Sequence, residues 1–452
     1  MSEELIINKI EQEKEIYVEF LRKLVQSDSI NPPGNEKNVA VIIEKFLKES
    51  GIKTDIFPFG NNRANLIAYL NDSFDGRNLL FNGHMDTVPP GSEEDWKYPP
   101  LSALIKRDKL MFDRGTTDMK SGLAAMVIAL KILKELNIKI SGNLILNAVA
   151  DEETAGKLGT GWSVKNPLKE IKCDFTIIGE ATALNPLPKG IFVGEKGHLQ
   201  VKITTNGKSG HSGMPALSKN AIYMMSEIIE KLDKLDEYIP KIEPPMSLEK
   251  LRKLVGVAFP SEEIFDRILK EQPELQSIIQ SLTTFSKALT MIKGGIKENV
   301  IPDLCEAVLD IRLLPNQKSK TIMRALQKVI EEDIGYPVKE QSTVTSNDVF
   351  VELEIINDSE GSYWSEWEDS DDLKELYALV ETIYEKRPYY FLLPASADAH
   401  HLRNEGYCPQ TVLFGPGKGR AAHAVNEHIE ILDFIRAIKV YAIFAYRFLS
   451  KK

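Results

Sequence analysis

Three short stretches, NLLFNG at 78–83, NLILNAVA at 143–150 and FTIIG at 175–179, are almost wholly apolar. Each runs straight into residues bearing carboxylates or imidazoles. Strands of this kind are buried on both faces, which requires helices on both sides of a sheet. A helical pattern over about 121–136 separates the first two stretches. An earlier one carries Val39, Ile42, Ile43, Phe46 and Leu47 at helical spacing, with Gly51 as its stop. The alternation predicts an α/β fold with a mixed, mostly parallel sheet flanked by helices. TVLFGPG at 411–417 reads as one more such strand, far along the chain.

Between these blocks the pattern changes. LQVKITT (199–205) alternates strictly, as a sheet with one wet face should. A helix pattern over roughly 219–236 follows, then the alternating CEAVLDIRLL (305–314), a helix near 317–332 and VFVELEII (349–356). This order predicts a β-α-β-β-α-β, ferredoxin-like sandwich inserted into the first domain. The expected division is 1–192 with 360–452 for the first domain, and 193–359 for the inserted one. Residues about 240–290 read as mostly helical, with Pro244, Pro245, Pro260 and Pro273 dividing the helices. Their sequence does not decide whether they wall a cleft or extend a subunit contact.

A chain of 452 residues is long enough for two or three domains. The formal charge of −10 argues against nucleic acid or an anionic membrane as partner. No apolar run approaches the ~20 residues of a membrane span. The acidic start, MSEELIINKIEQEKEIYVEF, lacks the layout of a signal peptide. Three scattered cysteines are too few for a disulfide framework, so a cytoplasmic location is expected.

The chemistry lies at the strand ends. His84 and Asp86 follow the first apolar stretch, Asp118 precedes a helix, and Asp151, Glu152 and Glu153 follow the second stretch. Glu180 follows the third, and His423 lies beyond TVLFGPG. An open α/β sheet binds its ligands outside the carboxyl ends of its strands. So many converging charges would cost several kcal/mol per ion unless a cation compensates. Two metal ions sharing one carboxylate would resolve this. GPGKG (415–419) lacks the lysine–hydroxyl ending and the following helix of a phosphate loop.

The motifs occur in a fixed order: H-x-D at His84–Asp86, G-x-x-D-x-K at Gly115–Lys120, D-E-E at 151–153 and GEAT at 179–182. GKSGHSGMP (207–215), NVIP (299–302), DIRLLP (310–315) and FGPG followed by His423 complete the series. In this combination the chain resembles the co-catalytic zinc amidohydrolases and metallopeptidases that include aminoacylase, acetylornithine deacetylase, succinyl-diaminopimelate desuccinylase and carboxypeptidase G. The resemblance runs from LRKLVQSDSINPPGNE (21–36) to AHAVNEHIEI (422–431).

The resemblance implies one zinc ion held by His84 and Glu180, a second held by Glu153 and His423, and Asp118 bridging both. Cobalt or manganese would also suit these ligands. It further implies a cis peptide at Asp118–Met119. Asp86 is expected to accept the second ring N–H of His84. Glu152 is the implied general base, activating a metal-bridging water. His211 is implied to stabilise the oxyanion across a homodimer, which makes 193–359 the inserted lid and dimerisation domain and 1–192 with 360–452 the catalytic one. Arg312 and Asn299 match the pair that grips a substrate carboxylate or the reacting carbonyl. Alternation on the strand puts Glu306, Asp310 and Arg312 on one face, so a surface pair with Asp310 or Glu306 is the other reading of Arg312. Ser396, in PASAD (394–398), stands where relatives carry a substrate-binding Gly–Thr pair. His400 and His401 read as structural, and His198 and His428 as unassigned.

The implied reaction is hydrolysis of an amide in an N-acyl amino acid, that is, deacylation of the acetylornithine deacetylase kind. The alternatives are an exopeptidase (dipeptidase or carboxypeptidase) acting on short peptides, and a metal-binding relative without catalysis. VGEKGHLQ (193–200) carries Glu195 and Lys196 where the desuccinylase branch carries two arginines, which argues against a succinylated substrate.

Overall fold

The computed structural model describes residues 2–339 and 348–451. Its centre is a nine-stranded mixed sheet. Asn143–Val149, Asn78–His84, Phe175–Ile178 and Thr411–Leu413 lie side by side and run parallel. Every residue of these four strands is buried, which explains their unbroken apolar reading. Lys53–Phe59 and Arg63–Tyr69 extend the sheet antiparallel on one side. Gly190–Glu195 and Ser362–Tyr363 do so on the other, and Tyr389–Leu393 pairs in parallel with Gly190–Glu195. The parallel part expected from the sequence is therefore the centre of the sheet.

From Asn78–His84 the chain crosses through the helix Lys120–Glu135 to Asn143–Val149 on one side. Phe175–Ile178 then enters on the other side. His84 thus ends the strand from which the connections part in opposite directions, where an α/β sheet opens a crevice. Lys120–Glu135 is buried along nearly its whole length and packs against the last helix, Ile431–Ser450. No described helix is long and apolar enough to cross a membrane.

A second, four-stranded antiparallel sheet orders Ser286–Gly294, Leu304–Leu313, Gly197–Asn206 and Phe350–Ser359. The helices Ala221–Lys231 and Ser319–Lys328 cover one face, through a separate apolar cluster containing Met224, Ile228, Leu309 and Ile322. Ser286–Gly294 was not singled out in the sequence, where it falls at the end of a stretch read as helical. It is an edge strand with most residues exposed, so it has no apolar run to announce it.

The added helices Leu248–Gly256, Glu262–Glu271 and Pro273–Ser281 do not share that second cluster. Leu251, Val255, Phe265, Leu269 and Ile279 belong to the main core, and the first helix packs against Tyr389–Leu393. Ser247 and Ser261 cap two of the helices with side-chain oxygens, and Pro273 opens the third. Lys196 ties their end down, donating to the carbonyls of Ser281 (2.9 Å) and Thr284 (2.8 Å).

Candidate active site

His84, Asp118, Glu152, Glu153, Glu180 and His423 meet at the carboxyl ends of the parallel strands. The two oxygens of Asp118 part company: Oδ1 lies 3.0 Å from His84 Nε2, and Oδ2 lies 3.1 Å from His423 Nε2. Glu180 Oε1 is 3.5 Å from His84 Nε2, and Glu153 Oε2 is 3.0 Å from His423 Nε2. Two triads result, His84–Asp118–Glu180 and Asp118–Glu153–His423, sharing Asp118. A third grouping, His84–Glu152–Glu153, has similar compactness, with Glu152 Oε2 at 3.8 Å from His84 Nε2. The Asp118–Met119 peptide is cis.

The electrostatics of this cluster are those of a site short of cations. Burial, together with the neighbouring Asp118 charge, pushes the Glu180 carboxyl up to about 8. Burial lifts Glu152 well above the usual carboxylate range, and lifts Glu153 as well. The contacts with Asp118 and Glu153 raise His423 to about 10. Burial alone would depress His84, but Asp118, Glu152 and Glu180 outweigh it and hold its pKa well above an ordinary imidazole. Among the described residues, the buried Glu153 Oε1 has no hydrogen-bond partner. An orphaned carboxylate oxygen, beside two imidazoles that meet the same aspartate, fits a pair of divalent cations.

Asp86 plays a part different from the one expected. The ring Nδ1–H of His84 is held by the main-chain carbonyl of Asp86 at 3.0 Å, while the carboxylate Oδ1 stands 3.6 Å away. The carboxylate instead accepts from the backbone N–H of Glu152 (3.3 Å), that of Glu153 (3.2 Å) and Asn31 Nδ2 (2.9 Å). One residue therefore orients the imidazole through its backbone and the Glu152–Glu153 turn through its side chain. Asp151 opens that turn in the left-handed region, with φ of 76°. Its carboxylate accepts from Thr154 Oγ1 (2.8 Å) and from the backbone N–H of Leu158 (3.0 Å), which offsets the strain.

Glu427 was missed in the sequence, although it lies within the quoted AHAVNEHIEI. It is fully buried, and its Oε1 accepts from the N–H groups of Thr117 (2.7 Å) and Asp118 (3.1 Å). Its Oε2 receives Arg114 Nη1 at 2.7 Å, and Arg114 is itself buried and lies over Trp96. The loop bearing His423 is thereby pinned to the loop bearing Asp118.

The charged cluster forms the floor of a cleft of about 540 Å³. The open face of the four-stranded sheet supplies one wall, with His198, Gln200, Arg312, Asn357 and Ser359. Both sequence readings of Arg312 meet here. Its Nε donates to Asp310 Oδ1 at 3.0 Å, yet the residue lines the cleft. His198, left unassigned in the sequence, sits at 2.7 Å from Asp310 Oδ2 on the same wall. Ser396 lines the other wall, and so does His400, which the sequence reading had set aside as structural. His211 and Asn299 do not line this cleft. They are exposed neighbours at the two-stranded ribbon Gly210–His211 with Val300–Ile301, joined by Ser212 N–H to Asn299 carbonyl at 3.2 Å. Glu195 and Lys196 do not line it either. Glu195 is buried on Ser362 Oγ (2.9 Å) and the Ala397 N–H (3.0 Å).

Residues 80–447 match the model of Peptidase family M20/M25/M40, and the chain belongs to that family. It is thus a metal-dependent hydrolase. It is 26% identical over 445 residues to a probable succinyl-diaminopimelate desuccinylase of Staphylococcus aureus, covering 96% of this chain and 98% of the relative. In fold it is similar to an M20 family metallo-carboxypeptidase of Sulfolobus solfataricus, with a TM-score of 0.75 and 22% identity over 96% of this chain and 98% of that one. It is also similar in fold to human carnosine dipeptidase 1, with a TM-score of 0.74 and 16% identity over 100% and 99% of the two chains.

Proposed function

We propose that the chain hydrolyses an amide bond in an N-acyl amino acid or short peptide whose free carboxylate is gripped by Arg312, with Glu152 as general base. The observation that carries this reading is the junction at Asp118, whose two oxygens meet His84 and His423 with Glu180 and Glu153 alongside. His84 and Glu180 would hold one divalent cation, Glu153 and His423 the other, and Asp118 both. The donor set suits zinc, and also cobalt or manganese. When bound, such ions polarise a carbonyl oxygen and ease the ionisation of water.

Glu152 lines the cleft and makes no hydrogen bond through its carboxylate among the described residues, so it is free to take a proton from the attacking water and return it to the leaving amine. Asp86 holds the turn that aims it. Arg312 spends Nε on Asp310 and keeps its terminal nitrogens for a carboxylate. Ser396 offers a hydroxyl from the other wall. A homodimer through the inserted domain would carry His211 and Asn299 into the partner's cleft, His211 to stabilise the oxyanion and Asn299 to hold substrate. The exposed Met214, Leu217 and Tyr223 near that ribbon favour such a contact.

The relative's name points to removal of a succinyl group, whereas Glu195 and Lys196, both committed to the fold, leave no arginine pair for a dicarboxylic acyl chain. The likeness to a carboxypeptidase and a dipeptidase favours the exopeptidase reading as the second. Assay of the metal-loaded protein against N-acetyl amino acids and dipeptides tests the proposal. The expected outcome is amine release that a chelator abolishes. Two bound ions without turnover of any member would mark a catalytically silent relative.

A further inference from the structure

The inserted stretch does not simply leave the large sheet and return to it. The small sheet joins the large one through two short connectors. Lys196 alone separates Gly190–Glu195 from Gly197–Asn206, while Glu360 and Gly361 separate Phe350–Ser359 from Ser362–Tyr363. The connectors touch: a Cβ on Gly197 would come 2.5 Å from the Gly361 nitrogen, and one on Gly361 would come 2.7 Å from the Gly197 nitrogen. Two adjacent connectors define an axis about which a packed sheet can turn. A hinge works by letting a few such residues absorb the change in φ and ψ.

Past this hinge the chain crosses to the large core once more and comes back. Tyr238 and Ile239 pack on the small sheet's core, whereas Met246 is buried in the main one. The link between them carries Pro240, Pro244 and Pro245, which stiffen it. Met246, Leu251, Phe265, Leu275 and Leu282 are all buried in the main core, an apolar face that is costly to withdraw. By Phe285 the chain is packed on the small core again.

Lys196 ties this return to the hinge. Its N–H donates to the Leu393 carbonyl of the large sheet at 3.1 Å, and the residue is 2% exposed. Its ammonium ends on the carbonyls of Ser281 (2.9 Å) and Thr284 (2.8 Å). Ser281 closes the last added helix, a place that favours a cation. Turning the chain about Lys196 would pull a buried ammonium off both acceptors. None of residues 240–290 is among those lining the cleft.

We infer that the added helices are a brace that locks the hinge at Lys196. They hold the small sheet, with His198 and Arg312 on its open face, at a fixed angle to the cluster around Asp118. The cleft thus has its width set before anything enters it, whichever amide the site cleaves.

Spin labels read that angle directly. The native cysteines are buried, so labels go to Arg324→Cys on the small domain and Lys134→Cys on the large one, both exposed positions. The zinc-loaded double variant is diluted with unlabelled protein, so that distances within one chain are read. Lys37→Cys with Lys134→Cys, a pair within the large domain, gives the width that the labels alone produce. The brace predicts a single distance between the domains, as narrow as that of the control pair. Lys196→Met, or a Gly-Ser-Gly-Ser segment inserted between Thr283 and Thr284, should broaden or shift it by more than about 2 Å while the control pair stays unchanged. The insertion only slackens a link, which a chain tolerates well, so it carries the test if Lys196→Met does not fold. A broad or split distribution without either change, or an equally narrow one in the folded variants, overturns the brace.

Discussion

The Asp86 carboxylate grips the Glu152 turn rather than the His84 ring: its two oxygens accept the N–H groups of Glu152 and Glu153 at 3.3 and 3.2 Å. Both glutamates therefore depend on one buried side chain that touches neither of their carboxylates. Asp86→Asn turns one acceptor into a donor facing those N–H groups. The expected loss is about 10–100-fold in kcat/KM, the usual scale for a partner one shell away from the chemistry. The His84 contact, made by the backbone, should survive. Steady-state kinetics beside metal analysis checks this, and unchanged kcat/KM would return Asp86 to a passive role.

Arg114 and Glu427 form a buried pair that secures the loops of Asp118 and His423. Burial, with the nearby Asp118 charge, already pushes the Glu427 carboxyl up to about 7 despite the arginine. Arg114→Ala leaves that carboxylate without its partner, and breaking a buried pair costs about 3–5 kcal/mol. Denaturant unfolding of the metal-free protein is the measurement. A loss below about 1 kcal/mol, the scale of a surface pair, would contradict the tethering role.

Metal binding should release protons. His423 is raised to about 10 by its two carboxylate contacts, and His84 is raised well above an ordinary imidazole. A raised pKa means that the metal-free fold holds these protons through neutral pH. The stability they lend is complete below the unfolded imidazole value and is lost as pH climbs toward the folded one. Metal ligation requires the neutral ring and the ionised carboxylate, so affinity should rise with pH and binding near pH ~7.5 should expel about one proton from each histidine and part of one from Glu180, whose carboxyl is pushed up to about 8. Calorimetry in buffers of different ionisation enthalpy counts them. Zero net release would contradict the ligand set of His84, His423 and Glu180.

Much of the site was legible because its ligands follow separate apolar strands, and a buried strand announces both itself and its end. His84, Glu153 and Glu180 could be found this way without any contact being known. What escaped notice depends on pairing across long stretches of chain. Glu427 meets Thr117 and Asp118 some 310 residues away, and nothing in the local pattern names its partner. Asp86 could be singled out, but whether its backbone or its carboxylate meets His84 is set by the turn after the strand, which no spacing encodes. The helices between 248 and 281 sit within the inserted stretch of sequence, yet their apolar faces join the core of the larger sheet.

Glu152→Gln is the most direct test, because Glu152 lines the cleft but has no place in the two triads that share Asp118. General-base removal typically costs 10²–10⁴-fold. Kcat of the metal-loaded variant, measured with its metal content, should fall by about that factor while both ions remain bound. Full hydrolytic activity with both ions in place would contradict the assignment of Glu152 as the base.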